Sequence, residues 1–261
     1  MGALSVVATI VVVGGFLLLI RPEISGPMVF FFIFRCLNLQ INGALFYFFT
    51  DSPAAFPEGP HFSALFYVTG MTSVAITGRL IGFMTAKDIF GQWHYRSSLL
   101  LAVPLAAITQ LLLVPVLLRW NVRMGIPDRL WILAWTFVDM VVRAWRHFPF
   151  SVFMLQATTR GLEASSLALT SGVINFGQTL SFFFGGFVLH CFQVGPTGDL
   201  AESAVFASLW KVQVVIALLP LAGLPLMFLF LPAVKQVETL IVENPGSATH
   251  GAPLARYCCD V

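Results

Sequence analysis

The sequence predicts an all-α fold, a polytopic membrane helical bundle of about seven transmembrane helices, and two observations carry that prediction. Hydrophobic residues fill 58% of the 261 positions and charged residues only 10%, where an ordinary soluble domain carries about 25% charged residues. The apolar residues also come in runs of roughly 20, the length at which a helix rising about 1.5 Å per residue crosses a hydrocarbon core. A soluble fold cannot hide that much apolar surface, and lipid is the solvent that removes the conflict. The net charge of +2 is small and scattered, which excludes nucleic acid as an expected partner.

Taken in order, the expected spans are Ala3–Ile20, Met28–Thr50, Phe62–Ala86, Ser98–Leu118, Leu130–Ala157, Ser166–Cys191 and Leu209–Ala233. The seams carry turn formers: Arg21-Pro22, Asp51-Ser52-Pro53, Gly125-Ile126-Pro127-Asp128 and Gly195-Pro196-Thr197-Gly198. The first span lacks a basic leader, so a membrane helix is expected there rather than a cleaved signal. Prolines 104, 115, 149, 220 and 225 fall inside spans, where kinks are tolerated. On the sixth span Gly172, Gly177, Gly185 and Gly186 would let a second helix approach closely. Three units follow: residues 1–27 as one helix and a short loop, 28–233 as a six-helix unit, and 234–261 as a flexible cytoplasmic tail. Loop arginines and lysines place the C-terminus in the cytoplasm, with Arg119, Arg123 and Arg129 as the exception.

The four cysteines (Cys36, Cys191, Cys258, Cys259) show neither metal-ligand spacing nor a disulfide framework, and no cofactor is expected. Cys258-Cys259-Asp260-Val261 fits a prenylation box poorly, because aspartate stands in an aliphatic slot; palmitoylation of the pair is the alternative to an unmodified tail.

Charges are informative where they are expensive. A central Arg or Asp costs about 2.5–3.5 kcal/mol even on the gentlest insertion scale. The fifth span holds Asp139, Arg143 and Arg146, with His147 next in line. At 100° per residue these three ionic positions fall within about 60° of one another, and Asp139 and Arg143 stand at i, i+4, where a direct ion pair forms. On the second span Arg35, Asn38 and Asn42 share a helical face while Gln40 points elsewhere. Asn175 and Gln178 lie on the sixth span, and Arg79 lies late in the third. The candidate solute-binding set is therefore Arg35, Asn38, Asn42, Asp139, Arg143, Arg146, Asn175 and Gln178. Two readings stand side by side: a cavity for a polar, anionic solute, or a structural network that holds helices in register. Arg35 and Arg146 favour the first, having no carboxylate at helical spacing. Asp139 and His147 are the candidates for proton exchange.

These residues resemble those of a known family. Gly125-Ile126-Pro127-Asp128-Arg129-Leu130 leads into a span with Asp139 and then a Phe148-Pro149-Phe150 turn. Thr159-Arg160-Gly161-Leu162-Glu163-Ala164 is followed by Asn175-Phe176-Gly177, and Ala44-Leu45-Phe46-Tyr47-Phe48-Phe49-Thr50-Asp51 ends the second span. In this order, over roughly residues 20–235, the motifs resemble the second half of folate–biopterin transporters. The resemblance implies a major facilitator architecture, of which this chain would hold the C-terminal six-helix half plus one preceding helix. It implies transport of pteridines (folate, biopterin or related polar metabolites) by alternating access, with the plasma membrane as the expected address. The implied partners are the lipid bilayer, the solute, a second transporter half and protons. Departures are the missing first half, Thr159-Arg160 before Gly161, and Arg35, which has no place in the family's pattern. A non-transporting remnant or a subunit needing an N-terminal half is the alternative.

Other classes fit less well. A seven-helix receptor would show Asp-Arg-Tyr after the third span and Asn-Pro-x-x-Tyr in the last, and neither is present. An intramembrane enzyme would bring catalytic groups together from several helices, whereas Asp139 and His147 share one. No enzyme activity is expected.

Overall fold

The computed structural model describes residues 22–156, 163–198 and 202–237, with a few positions between 7 and 18. The expected first span, the Thr159–Gly161 part of the family motif and the tail beyond residue 237 lie outside the described residues. Every named element is helical. The first is α1 (Pro22–Leu37) and the second α2 (Asn42–Thr50), separated by four non-helical residues. A π-helical turn, Phe66–Gly70, runs into α3 (Met71–Phe90), and α4 (Tyr95–Leu111) follows. Two short turns, α5 (Val114–Leu117) and α6 (Trp120–Arg123), lead to α7 (Asp128–Gln156). After α8 (Glu163–Cys191) come α9 (Ser203–Phe206) and α10 (Leu209–Leu218). The chain then passes a 3-10 turn, Leu219–Gly223, and ends in α11 (Leu226–Phe230).

Among the described residues four segments are long and apolar enough to cross a membrane: Ile24–Thr50, Tyr95–Leu117, Leu167–Cys191 and Ser203–Phe230. These coincide with four of the expected spans, and the molecule is a multi-pass helical membrane protein. Helices α3 and α7 are of spanning length but more polar, and they form the most extensive helix pair among the described residues. Glycine explains their closeness. A Cβ added at Gly78 would sit 2.7 Å from the Phe137 carbonyl oxygen, and one at Gly82 would sit 2.7 Å from that of Val141. Small residues let backbones meet where lipid offers no hydrophobic drive between helices.

Three expectations need correction. Phe148-Pro149-Phe150 is not a turn, because α7 continues through Pro149 to Gln156. Membrane helices tolerate proline within a span in this way. Of the four glycines on the sixth span, Gly177 and Gly185 face α1 and the break after it, whereas Gly172 and Gly186 have nothing near them. The second span is not one helix, since Asn38–Ile41 leave the helical ladder. The Gln40 amide donates instead to the Ser181 carbonyl at 3.3 Å, and the Asn38 side chain donates back to the Phe34 carbonyl at 2.6 Å.

Phenylalanine builds two separate cores, labelled inner at the end of the bundle where the described chain finishes and outer at the opposite end. The inner one gathers Met28, Phe30, Phe31 and Phe32 of α1 with Tyr95, Leu99, Phe153 and Met227. The outer one gathers Phe48 and Phe49 of α2 with Phe56, Phe62, Leu113 and Phe206. The Phe49 and Phe62 rings stack with centroids 5.6 Å apart. At the inner end, Gln236 is 3% exposed and straps the last segment across the bundle. It donates to Ser98 Oγ at 2.6 Å and to the Phe90 carbonyl at 3.2 Å, and its own carbonyl accepts from Gln156 at 2.6 Å. At the outer end Asp128 accepts both Arg119 terminal nitrogens, at 2.7 and 2.8 Å, and the Asn121 amide at 2.7 Å. Arg119 itself holds a left-handed φ of 59°. One of the three arginines that broke the loop-charge rule is thus committed to a carboxylate.

A second outer contact joins two loops. Glu202 Oε1 accepts from the Thr197 and Gly198 amides at 2.6 and 2.9 Å, and the Glu202 amide donates to the Ala55 carbonyl at 2.8 Å. Its carboxyl group faces that of Asp51, which disfavours the ionised form of Asp51.

Candidate functional site

Between the two cores lies a cavity of about 520 Å³. Its walls come from the end of α1 and the break after it, from α3, α4, α7 and α8, and from the α10 end. Six of the eight sequence-predicted residues line it: Arg35, Asn38, Arg143, Arg146, Asn175 and Gln178. Asp139 does not. It is 0% exposed and stands behind the wall, with Oδ2 2.6 Å from Arg143 Nε, which is the expected ion pair. Asn42 is exposed and outside the lining, because the face shared with Arg35 ends where the helix breaks. The same break turns Gln40 into the cavity.

Each lining arginine is held differently. Arg35 donates to Gln178 Oε1 at 2.6 Å, while its Nε is buried with no acceptor. The Arg146 guanidinium lies 5.8 Å from the Phe34 ring centroid, in cation–π geometry. Arg143 keeps 35% of its side chain exposed, and Arg79 of α3 completes the set. His147 also lines the cavity, with the Phe150 ring 5.2 Å away. Four guanidinium groups therefore surround a space whose nearest carboxylate, Asp139, neutralises one.

Sequence reasoning missed Gln110 as well as Gln40. Gln110 lines the cavity and donates to Asp139 Oδ1 at 2.6 Å. The signal was present, since an amide side chain in the middle of an otherwise apolar span is costly in the same way as Asp139 is.

The sequence profile of one family, described as the BT1 family, matches residues 15–246. The chain belongs to the BT1 family. This BT1 chain is 28% identical over 223 residues to "Probable folate-biopterin transporter 6" of Arabidopsis thaliana, covering 85% of the chain and 42% of that protein. It is 29% identical over 209 residues to "Probable folate-biopterin transporter 2" of the same plant, covering 80% of the chain and 39% of that protein. A third relative, "Probable folate-biopterin transporter 5", also of Arabidopsis thaliana, is 29% identical, with 80% and 40% covered. The BT1 chain thus spans about two-fifths of the length of the curated relatives it matches. No solved structure matches it. The family resemblance expected from the loop and span motifs is borne out.

Proposed function

We propose that the chain forms one half of a pteridine transporter, carrying folate, biopterin or related polar metabolites by alternating access across the plasma membrane, with its C-terminus in the cytoplasm. One observation carries the reading: four arginines face a cavity held between two apolar cores. At about 2.5–3.5 kcal/mol each, four central arginines cost as much as a whole domain's stability, about 5–15 kcal/mol. A purely structural network would offset that with carboxylates, and among the described residues none lines this cavity, Asp139 standing behind its wall. An anionic solute supplies the remaining countercharge. Guanidinium groups suit the carboxylates of folate through paired N–H donors, and Phe31, Phe34 and Phe150 offer flat apolar wall to a pterin ring.

Alternating access needs two halves rocking about a midplane site, so a second half supplies the opposite wall. Proton exchange, where it occurs, falls to His147, which faces the cavity while Asp139 is tied to Arg143. The relatives are named as transporters, and the reading is of a transporter rather than an enzyme. The test is uptake of labelled folate and biopterin in cells lacking both activities, with the chain expressed alone and with an N-terminal half of a relative. Uptake that appears on co-expression and is lost in Arg146→Ala and Arg35→Ala, at unchanged surface level, is the expected result. No uptake in either setting would identify a non-transporting remnant.

A further inference from the structure

Asp139 never reaches the cavity, yet a polar chain drawn from three helices ends on it. Its Oδ1 accepts from Gln110 Nε2 at 2.6 Å and from Thr109 Oγ1 at 3.2 Å, both on α4. Its Oδ2 lies 2.6 Å from Arg143 Nε on its own helix. Gln110 Oε1 in turn accepts from Gln213 Nε2 of α10 at 2.9 Å, and the same nitrogen donates to the Gln110 carbonyl at 3.0 Å. Gln213 is 1% exposed and is not part of the cavity wall.

Chemistry gives this chain of bonds a direction. An amide oxygen only accepts, an amide nitrogen only donates, and a carboxylate only accepts. Gln110 therefore has one orientation that suits both neighbours, its oxygen toward Gln213 and its nitrogen toward Asp139. The carboxylate so held stands against Arg143 at Nε as an ion pair, with neither atom in a hydrogen bond of ordinary geometry. That edge of the guanidinium is committed, and the two terminal nitrogens remain for a carboxylate, the paired geometry that makes arginine selective.

We propose that Gln110 and Gln213 are positioning residues for solute recognition, acting through Asp139 to fix the orientation of Arg143. The inference rests on the transport reading above. Without the two amides, Asp139 regains rotational freedom and Arg143 moves with it, so a solute must order both on arrival. A plain tie between helices makes a different forecast: lower stability with unchanged affinity.

The experiment is equilibrium binding to the chain paired with the N-terminal half of a relative in lipid nanodiscs, with folate, which carries two carboxylates, and biopterin, which carries none. Gln213→Leu and the near-isosteric Gln213→Met are compared with wild type, each also in an Arg143→Leu background. We expect either change to weaken folate roughly threefold to tenfold, the equilibrium equivalent of one hydrogen bond, and to leave biopterin within about twofold. In the Arg143→Leu background the Gln213 changes have no further effect on folate. Thr109→Val, which removes a donor to Asp139 without changing shape, gives a smaller loss of the same sign. Equal losses for both solutes, additive losses in the double variants, or a lowered melting temperature with folate affinity intact would each overturn the assignment. Wild-type protein that binds neither solute overturns the transport reading first, and that result is read before any variant is made.

Discussion

Asp51 and Asp139 are both buried carboxylates, set in different surroundings. Asp139 is surrounded by donors, so Asp139→Asn leaves Arg143 without its counterion. Breaking a fully buried pair costs about 3–5 kcal/mol, and the one-third exposure of Arg143 reduces that to about 1–3 kcal/mol. A lowered melting temperature in nanodiscs measures it, and an unchanged one refutes it. Asp51 lies in the outer loop, where burial, then the facing Glu202, push it up to about 6, partly relieved by His61. The sign follows from linkage: with a folded value above the unfolded one, near 4, its contribution is present below pH 4 and is lost as pH rises through 6. Wild-type melting temperature should therefore fall between pH 4 and 6.5, and Asp51→Asn should flatten that fall and raise stability at pH 7.5. A steeper fall in the variant would contradict the carboxyl pair.

At the level of elements, the break between α1 and α2 decides most of what the sequence left illegible. Nothing in Leu37-Asn38-Leu39-Gln40-Ile41 is a glycine or proline, so local rules extend a helix through it. The cause is tertiary. Gly185 of α8 presses its bare Cα side against the Gln40 backbone, and Ser181 takes the Gln40 amide. A face counted through an unbroken helix put Asn42 in the cavity and Gln40 outside, and the structure exchanges them. By contrast α7 keeps its ladder past the cavity, which is why Arg143 and Arg146 fall where a 100° rotation per residue puts them. Gly185→Ala tests the seam, because its new Cβ collides with backbone that cannot step aside. Overpacking of this kind costs about 1–3 kcal/mol, and loss of folate binding should accompany the lowered melting temperature. Gly186→Ala, with open space around it, should change neither.

On the scale of the whole molecule, composition alone revealed a membrane bundle, because few charges and long apolar runs leave no other solvent. It could not reveal two cores, since phenylalanines 31 and 49 look alike in a hydropathy profile. Phe48→Ala in the outer core should lower the melting temperature by the equivalent of about 2–3 kcal/mol, less than in a soluble core because lipid is itself apolar. Folate affinity should stay within about twofold, and a larger change would mean that the cores and the cavity are not separable. The split helix has a further bearing on how the two ends cooperate. With α1 seated in one core and α2 in the other, the four residues of the break link the two cores. Amide hydrogen exchange at residues 38–41 should slow when folate binds, and no change there would rule out solute contact at the break. Under the proposed function, a solute that touches Asn38 and Gln40 meets the stretch of chain that belongs to neither helix, so its contact is shared by both cores.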